Sequence, residues 1–178
     1  GAATWALNEI FAGRASEVQI AALLTALRAK GETEDEIAGL AEAMLANATP
    51  LALDPDAVDI VGTGGDRANT VNVSTMAAIV AAGAGAKVIK HGARAASSMA
   101  GTADTLEALG VKIDVEPAKQ AAILEHVGIS FLFAQQYHPS MKNVAGVRRQ
   151  LGIQTTFNFL GPLANPARPR ALALGVAN

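Results

Sequence analysis

The chain of 178 residues has no cysteine. Disulfides and zinc–thiolate sites are therefore excluded, and the absence fits a reducing compartment, so the expected location is cytoplasmic. Aromatic residues make up only 4% of a chain that is 51% hydrophobic, so its apolar content is aliphatic and alanine-rich, which favours helices around an ordinary core. No apolar run approaches the roughly 18 residues needed to cross a bilayer, and no charged-then-apolar leader opens the chain; no membrane partner is expected. Positive charge is also scarce: 14 Lys and Arg stand against 16 Asp and Glu. A net charge of −2 gives no broad basic field, so nucleic acid is not expected as a partner and the cations must act locally. The three histidines, His91, His126 and His138, match no zinc spacing.

Glycine is plentiful where it matters. From Asp59 to Asp66 an apolar strand breaks into Gly62-Thr63-Gly64-Gly65-Asp66. Glycines in such a turn take positive φ and let backbone N–H groups approach an anion with no Cβ in the way. A glycine turn of this kind between a strand and a helix is a common place to hold a diphosphate, although it also arises for plain geometric reasons. The polar run Thr70-Val71-Asn72-Val73-Ser74-Thr75 follows, then an alanine-rich helical segment to Ala84, for which Ser74 or Thr75 reads as the N-cap. Side-chain oxygens of Asn72, Ser74 and Thr75 share that helix mouth, where negative charge is favoured by about 0.3–1 kcal/mol.

A second polar cluster follows the short apolar run Lys87 to Ile89: Lys90, His91, Gly92, Ala93, Arg94, Ala95, Ala96, Ser97 and Ser98. Adjacent parallel strands deliver their following loops to one carboxyl edge, so the two clusters are expected to meet there. Arg94 offers a planar fork and Lys90 a mobile point charge, a pair suited to polyphosphate; a solvated basic loop is the plainer alternative.

These motifs, with Arg148-Arg149-Gln150-Leu151-Gly152 and Phe157-Asn158-Phe159-Leu160-Gly161-Pro162-Leu163-Ala164-Asn165-Pro166, resemble those of the anthranilate phosphoribosyltransferases, in the same order and across nearly the whole chain. The resemblance implies a helical domain joined to a parallel-sheet α/β domain of the nucleoside phosphorylase and phosphoribosyltransferase type. The implied reaction transfers the phosphoribosyl group of phosphoribosyl pyrophosphate to the amino group of anthranilate and releases pyrophosphate, a step of tryptophan biosynthesis. By the same resemblance Gly62, Gly65, Asp66 and Thr70 contact diphosphate and ribose, and Asn72, Val73, Ser74 and Thr75 continue the cradle. The Ser74 hydroxyl ligates one Mg2+, as suits an ion that prefers oxygen ligands shared with phosphate. Lys90, His91, Gly92, Ala93, Arg94, Ala95, Ala96, Ser97 and Ser98 fold over the phosphates, with Lys90 catalytic. Arg148, also catalytic, faces the anthranilate carboxylate. His138, beside Tyr137, is a candidate lining of the amine pocket.

Two departures from the family pattern stand out. Ala93 occupies a position where the family usually carries Asn, which removes an amide expected to touch anthranilate. Family members are also close to twice as long, and no counterpart of their later Asp-Glu pair, which holds a second Mg2+, is present. The chain, which opens Gly1-Ala2-Ala3-Thr4 without Met, is therefore expected to be a shortened form. A binding-only piece holding phosphoribosyl pyrophosphate and a nucleoside phosphorylase relative are the alternative readings.

Periodicity predicts helices over Ala3–Ala12, Glu17–Lys30 and Thr33–Ala46, the last opened by a Thr33/Glu36 capping box. Residues 1–50 then form a helical domain, and 55–178 an α/β domain, with 140–152 returning to the helical one. Strands are expected at Val58–Val61, Lys87–Lys90, Val111–Val115, Ile129–Ala134 and Ala171–Ala177, alternating with helices, which argues for a parallel sheet. The family forms homodimers through its helical domain; the stripe Ile20, Leu23 and Leu27 is either that surface or intradomain core.

Overall fold

The computed structural model describes residues 1–64, 71–94 and 101–176. They fall into two compact units, Gly1–Thr49 with His138–Ala164, and Pro50–Tyr137 with the segment from Asn165 onward. The segment returning to the first unit thus includes residues 153–164 as well as 140–152.

The helical unit contains α1 (Ala2–Phe11), α2 (Glu17–Lys30) and α3 (Glu34–Ala46). Caps set their boundaries. Ser16 and Gln19 form a reciprocal box, the Ser16 N–H donating to Gln19 Oε1 at 2.9 Å and the Gln19 N–H to Ser16 Oγ at 3.3 Å. Thr33 and Glu36 do the same for α3 at 2.9 and 3.3 Å. The α2 helix stops at Gly31, whose φ of +80° only glycine adopts without strain. Leu7, Ile10, Leu24, Leu40 and Met44 meet side chains from the returning segment, Val144, Val147, Phe157 and Leu160, in one core. Ile20 and Leu27 belong to that core, with Leu23 packed on it. The stripe is therefore intradomain core.

The second unit is a four-stranded parallel sheet in the order β3-β2-β1-β4, built from β1 (Val58–Gly62), β2 (Val88–Gly92), β3 (Ile129–Phe133) and β4 (Ala171–Gly175). On β3, Leu132 packs with Ile89, Leu124 and Tyr137, while Phe131 and Phe133 pack with Ala103, Leu106 and Ile113. This period-two division shows that the sheet is covered on both faces at β3, whereas β4 is largely exposed. Helix α4 (Val73–Gly83) follows β1, and α5 (Thr102–Ala108) follows β2. A single turn at Pro117–Lys119 then leads into α6 (Gln120–Val127) before β3, and the short helix α7 (Ala134–Tyr137) follows β3 directly. His126 Nδ1 lies 2.8 Å from the Ala122 carbonyl in the last turn of α6. Among the described residues no helix is long and apolar enough to cross a membrane.

Two elements differ from the sequence reading. Residues 111–115 form no strand. Their alternation buries one side chain, Ile113, against α5, and the Val111 N–H donates to the Leu106 carbonyl at 2.9 Å, so the segment closes a helix end. The cap of α4 is Asn72, not Ser74 or Thr75. Asn72 Oδ1 accepts the Thr75 N–H at 3.1 Å and the Thr75 hydroxyl at 2.7 Å. Thr75 is buried inside the first turn, which leaves the capping role to the residue before the helix.

In the helical unit, Leu24→Ala should destabilise by about 2–5 kcal/mol through lost burial and the cavity left behind. Val18→Ala, at an exposed site of the same helix, should change stability by about 0.5 kcal/mol or less. Urea denaturation followed by circular dichroism checks both.

Candidate functional site

The sheet order places a change of direction at β1: the chain steps from β1 to β2 to β3 on one side, then returns to lay β4 on the other. Parallel α/β sheets bind ligands beyond the carboxyl ends of strands at such a point. The glycine turn lies there. Gly62 is opposite Gly175, the Thr63 N–H donates to the Gly175 carbonyl at 2.9 Å, and Gly64 turns the chain with φ +66°. A Cβ built on Gly62 would sit 3.6 Å from Ser74 Oγ. The strand end and the first turn of α4 therefore enclose a small cradle of backbone and one hydroxyl.

Val58 pairs with Val88, and β1 and β2 are both five residues long, so Gly62 and Gly92 end their strands at the same edge. A Cβ on Gly92 would meet Thr102 Cβ at 3.0 Å and Phe131 Cε2 at 3.1 Å, so a larger residue there would press on the start of α5. Ala93 is exposed, and its carbonyl accepts the Ala103 N–H at 3.2 Å. Gly65, Asp66, Thr70, Ala95, Ala96, Ser97 and Ser98 lie outside the described residues.

Lys90 is no mobile surface charge. It is 1% exposed on β2, and its Nζ donates to the Ile60 carbonyl at 2.5 Å. Burial lowers its pKa to about 8, against the opposing pull of the Asp59 carboxylate. Asp59 itself is fully buried, and desolvation raises its pKa. Its Oδ2 accepts from Asn165 Nδ2 at 2.9 Å and its Oδ1 from the buried His91 N–H at 3.2 Å. Arg94 is held by α5: its guanidinium pairs with Asp104 at 3.0 Å and with both oxygens of Glu107, and lies 5.6 Å from the Phe133 ring centre. The planar fork that the sequence offers to phosphate is thus engaged by carboxylates of α5.

In the helical unit, α8 (Lys142–Leu151) carries Arg148, whose guanidinium lies 5.6 Å from the Phe157 ring centre. Phe157 opens the short helix α9 (Phe157–Leu160). No carboxylate forms an ion pair with Arg148 among the described residues. Desolvation lowers its pKa, though a guanidinium stays charged. A desolvated, stacked fork without a carboxylate partner is suited to receive one. His138 is buried; its Nε2 lies 2.9 Å from the Ala164 carbonyl, and burial lowers its pKa, which favours a neutral, structural ring over a pocket lining.

Residues 54–178 match the glycosyl transferase family a/b domain and residues 1–48 the helical bundle domain of the same family. The chain belongs to this glycosyl transferase family. Within it, the chain is 60% identical over 174 residues to the anthranilate phosphoribosyltransferase of Arthrobacter sp. (strain FB24), covering 98% of this chain and 49% of that protein. It is 60% identical over 172 residues to that of Thermobifida fusca (strain YX), covering 97% and 49%. The chain thus spans about half the length of the curated relatives it matches. The crystal structure of the Thermus thermophilus enzyme superposes with a TM-score of 0.93 at 49% identity, over 99% of this chain and 54% of that one. The Saccharomyces cerevisiae enzyme in complex with PRPP and Mg superposes at 0.81 with 38% identity, over 91% and 46%. The glycosyl transferase architecture expected from the sequence is the one found.

Asp59 and Asn165 carry no role in the sequence reading, although both sit inside its motifs. A carboxylate within the apolar strand Val58-Asp59-Ile60-Val61 was the available signal, since a buried acid is rare without a partner.

Lys90 should report its burial through pH. The unfolded chain holds its proton up to about 10.5 and the folded one only to about 8, so folding stability rises as pH increases between those values. Lys90→Met should abolish that rise. Urea titrations at pH 7, 8.5 and 10 measure it; a flat profile in the unsubstituted protein contradicts the buried lysine.

Proposed function

We propose that this chain binds phosphoribosyl pyrophosphate and serves transfer of its phosphoribosyl group to the amino group of anthranilate, with release of pyrophosphate. One observation carries the reading: the glycine turn after β1 and the Lys90–Gly92 strand end emerge at one edge of a parallel sheet, on a chain 60% identical to anthranilate phosphoribosyltransferases over nearly its whole length. The named complexes of yeast relatives, with PRPP and Mg and with 4-fluoroanthranilate, support both substrates.

The leaving group is a diphosphate, so the main task is to neutralise charge that develops as the anomeric carbon–oxygen bond breaks. In this reading Gly62, Gly65 and the start of α4 meet that charge, Asp66 and Thr70 serve the ribose, and Asn72, Val73, Ser74 and Thr75 complete the cradle. Lys90 contributes its proton-bearing ammonium. His91, Gly92, Ala93, Arg94, Ala95, Ala96, Ser97 and Ser98 serve the phosphates from the second strand onward. Arg148 binds the anthranilate carboxylate through its fork and fixes the acceptor amine.

No group of three or more metal-ligating side chains occurs among the described residues, so a purely protein-held cation does not fit. A single hard oxygen, Ser74 Oγ, beside the cradle does fit Mg2+ that arrives on the diphosphate. Bound there, Mg2+ supplies further neutralisation of the departing charge. A cytoplasmic location belongs to this reading, as the cysteine-free sequence leads one to expect. So does a homodimer formed through a surface other than the Ile20–Leu27 stripe; Trp5, 66% exposed on α1, is a large apolar side chain that the helical unit leaves uncovered.

Binding a polyanion beside Lys90 favours its charged form. Calorimetry of phosphoribosyl pyrophosphate with Mg2+ at pH 8.5, in buffers of different ionisation enthalpy, should therefore show net proton uptake and an affinity lower than at pH 7. Lys90→Met should remove the part of the uptake due to this residue and weaken binding at least tenfold at pH 7. Absence of Mg2+-dependent binding at millimolar ligand contradicts the reading. Ala93→Asn should restore the amide of the family pattern and lower the dissociation constant for anthranilate several-fold; an unchanged constant means the acceptor does not reach residue 93.

A further inference from the structure

Two of the three parallel ladders in the sheet run five residues, β1 with β4 and β2 with β3. The third, β1 with β2, pairs at Val58 and Val88 and goes no further. Continued in register, it would join the Ile60 N–H to the Ile89 carbonyl and the His91 N–H to the Ile60 carbonyl. Side chains occupy three of those four groups instead. The Ile89 carbonyl accepts from Asn165 Nδ2 at 2.9 Å, and the Ile60 carbonyl from Lys90 Nζ at 2.5 Å. Asp59 takes the His91 N–H at 3.2 Å. The same Asn165 amide donates to Asp59 Oδ2 at 2.9 Å, and Asn165 Oδ1 accepts the Ala167 N–H at 3.0 Å, which fixes its orientation. The sheet is therefore two continuous halves, β4-β1 and β2-β3, joined near their carboxyl ends by a buried side-chain clip.

Each half carries one loop of the site. Gly62 is tied to β4 through Gly175, and Gly92 is wedged between Thr102 and Phe131. Nothing about stability calls for this arrangement, since an ordinary ladder would satisfy the same backbone groups without burying a carboxylate. We propose that Asp59 and Asn165 are positioning residues that hold β1 and β2 apart at the width a diphosphate needs between the glycine turn and the Lys90–Gly92 strand end. Asp59 bridges the strands, and Asn165, 106 residues away in sequence, locks it. Neither touches the ligand. Lys90 is the one member of the clip whose charge can also serve the ligand. This assignment rests on the proposed binding of phosphoribosyl pyrophosphate.

The test is a double-mutant cycle. Asp59→Asn leaves one of the donors its carboxylate received, Asn165 Nδ2 or the His91 N–H, facing another donor, and Asn165→Ala takes the lock from both Asp59 and the Ile89 carbonyl. Calorimetry with phosphoribosyl pyrophosphate and Mg2+ should show at least a tenfold loss of affinity for each single variant and, because the two residues act as one unit, a loss for the double variant smaller than the product of the two. Thermal melting identifies the folded fraction. A folded Asp59→Asn variant that binds as tightly as the unsubstituted protein overturns the positioning role and leaves the binding reading standing. No binding by the unsubstituted protein overturns both. Should the variants not fold, hydrogen exchange of the unsubstituted protein decides. Slow exchange of the His91 amide without ligand supports a clip formed in advance; rapid exchange that slows only on adding ligand overturns it.

Discussion

A carboxylate in the middle of an apolar strand is the constraint on which the α/β unit turns. Asp59 is fully buried, and in that setting it must be hydrogen-bonded throughout or neutralised. Asn165 and the His91 amide supply bonds to it, so the last part of the chain is bound to the first two strands. The backbone ladder yields at the same place. What remains at the sheet's edge is a split whose two lips end in glycines, and the described features of the candidate site in this unit take their positions from those lips.

Glycine serves a different purpose at each lip. At Gly62 a methyl group would make only ordinary contacts, so the residue keeps space open beside Ser74. At Gly92 a methyl group would press on Thr102 and Phe131, so there the residue permits helix α5 to begin against the sheet. Arg94 is consequently drawn to the first two turns of that helix, where Asp104 and Glu107 wait. These exposed ion pairs contribute little stability in water, but they decide where the guanidinium spends its time.

The layout was legible wherever local chemistry sets it. Thr33 and Glu36 announce a helix start, and the apolar runs at Val58, Val88 and Ile129 each became a strand. The sequence reading fails where the deciding partner is remote. Asn72, Ser74 and Thr75 are comparable caps taken alone, and the burial of Thr75 selects Asn72. Residues 111–115 alternate like a strand, yet Ile113 finds its place against α5. Lys90 reads as a surface cation because nothing adjacent in sequence reveals the Ile60 carbonyl, 30 residues earlier, that receives it. Arg148 was recognised from its motif, but its stacking on Phe157 was not, since that ring belongs to a separate helix.

The helical unit is discontinuous along the chain, and synthesis runs in one direction. Helices α1 to α3 emerge first with Leu7, Leu24 and Leu40 looking for a partner that is not yet made, because Val144, Val147, Phe157 and Leu160 close the core from the returning segment. At about 5–20 residues per second, on the order of ten seconds pass before Ala164 leaves the ribosome. For that interval the leading three-helix piece keeps apolar surface uncovered, while the strands β1 to β3 are already available to assemble. Helices α1 to α3 are thus made well before the neighbours that complete their core.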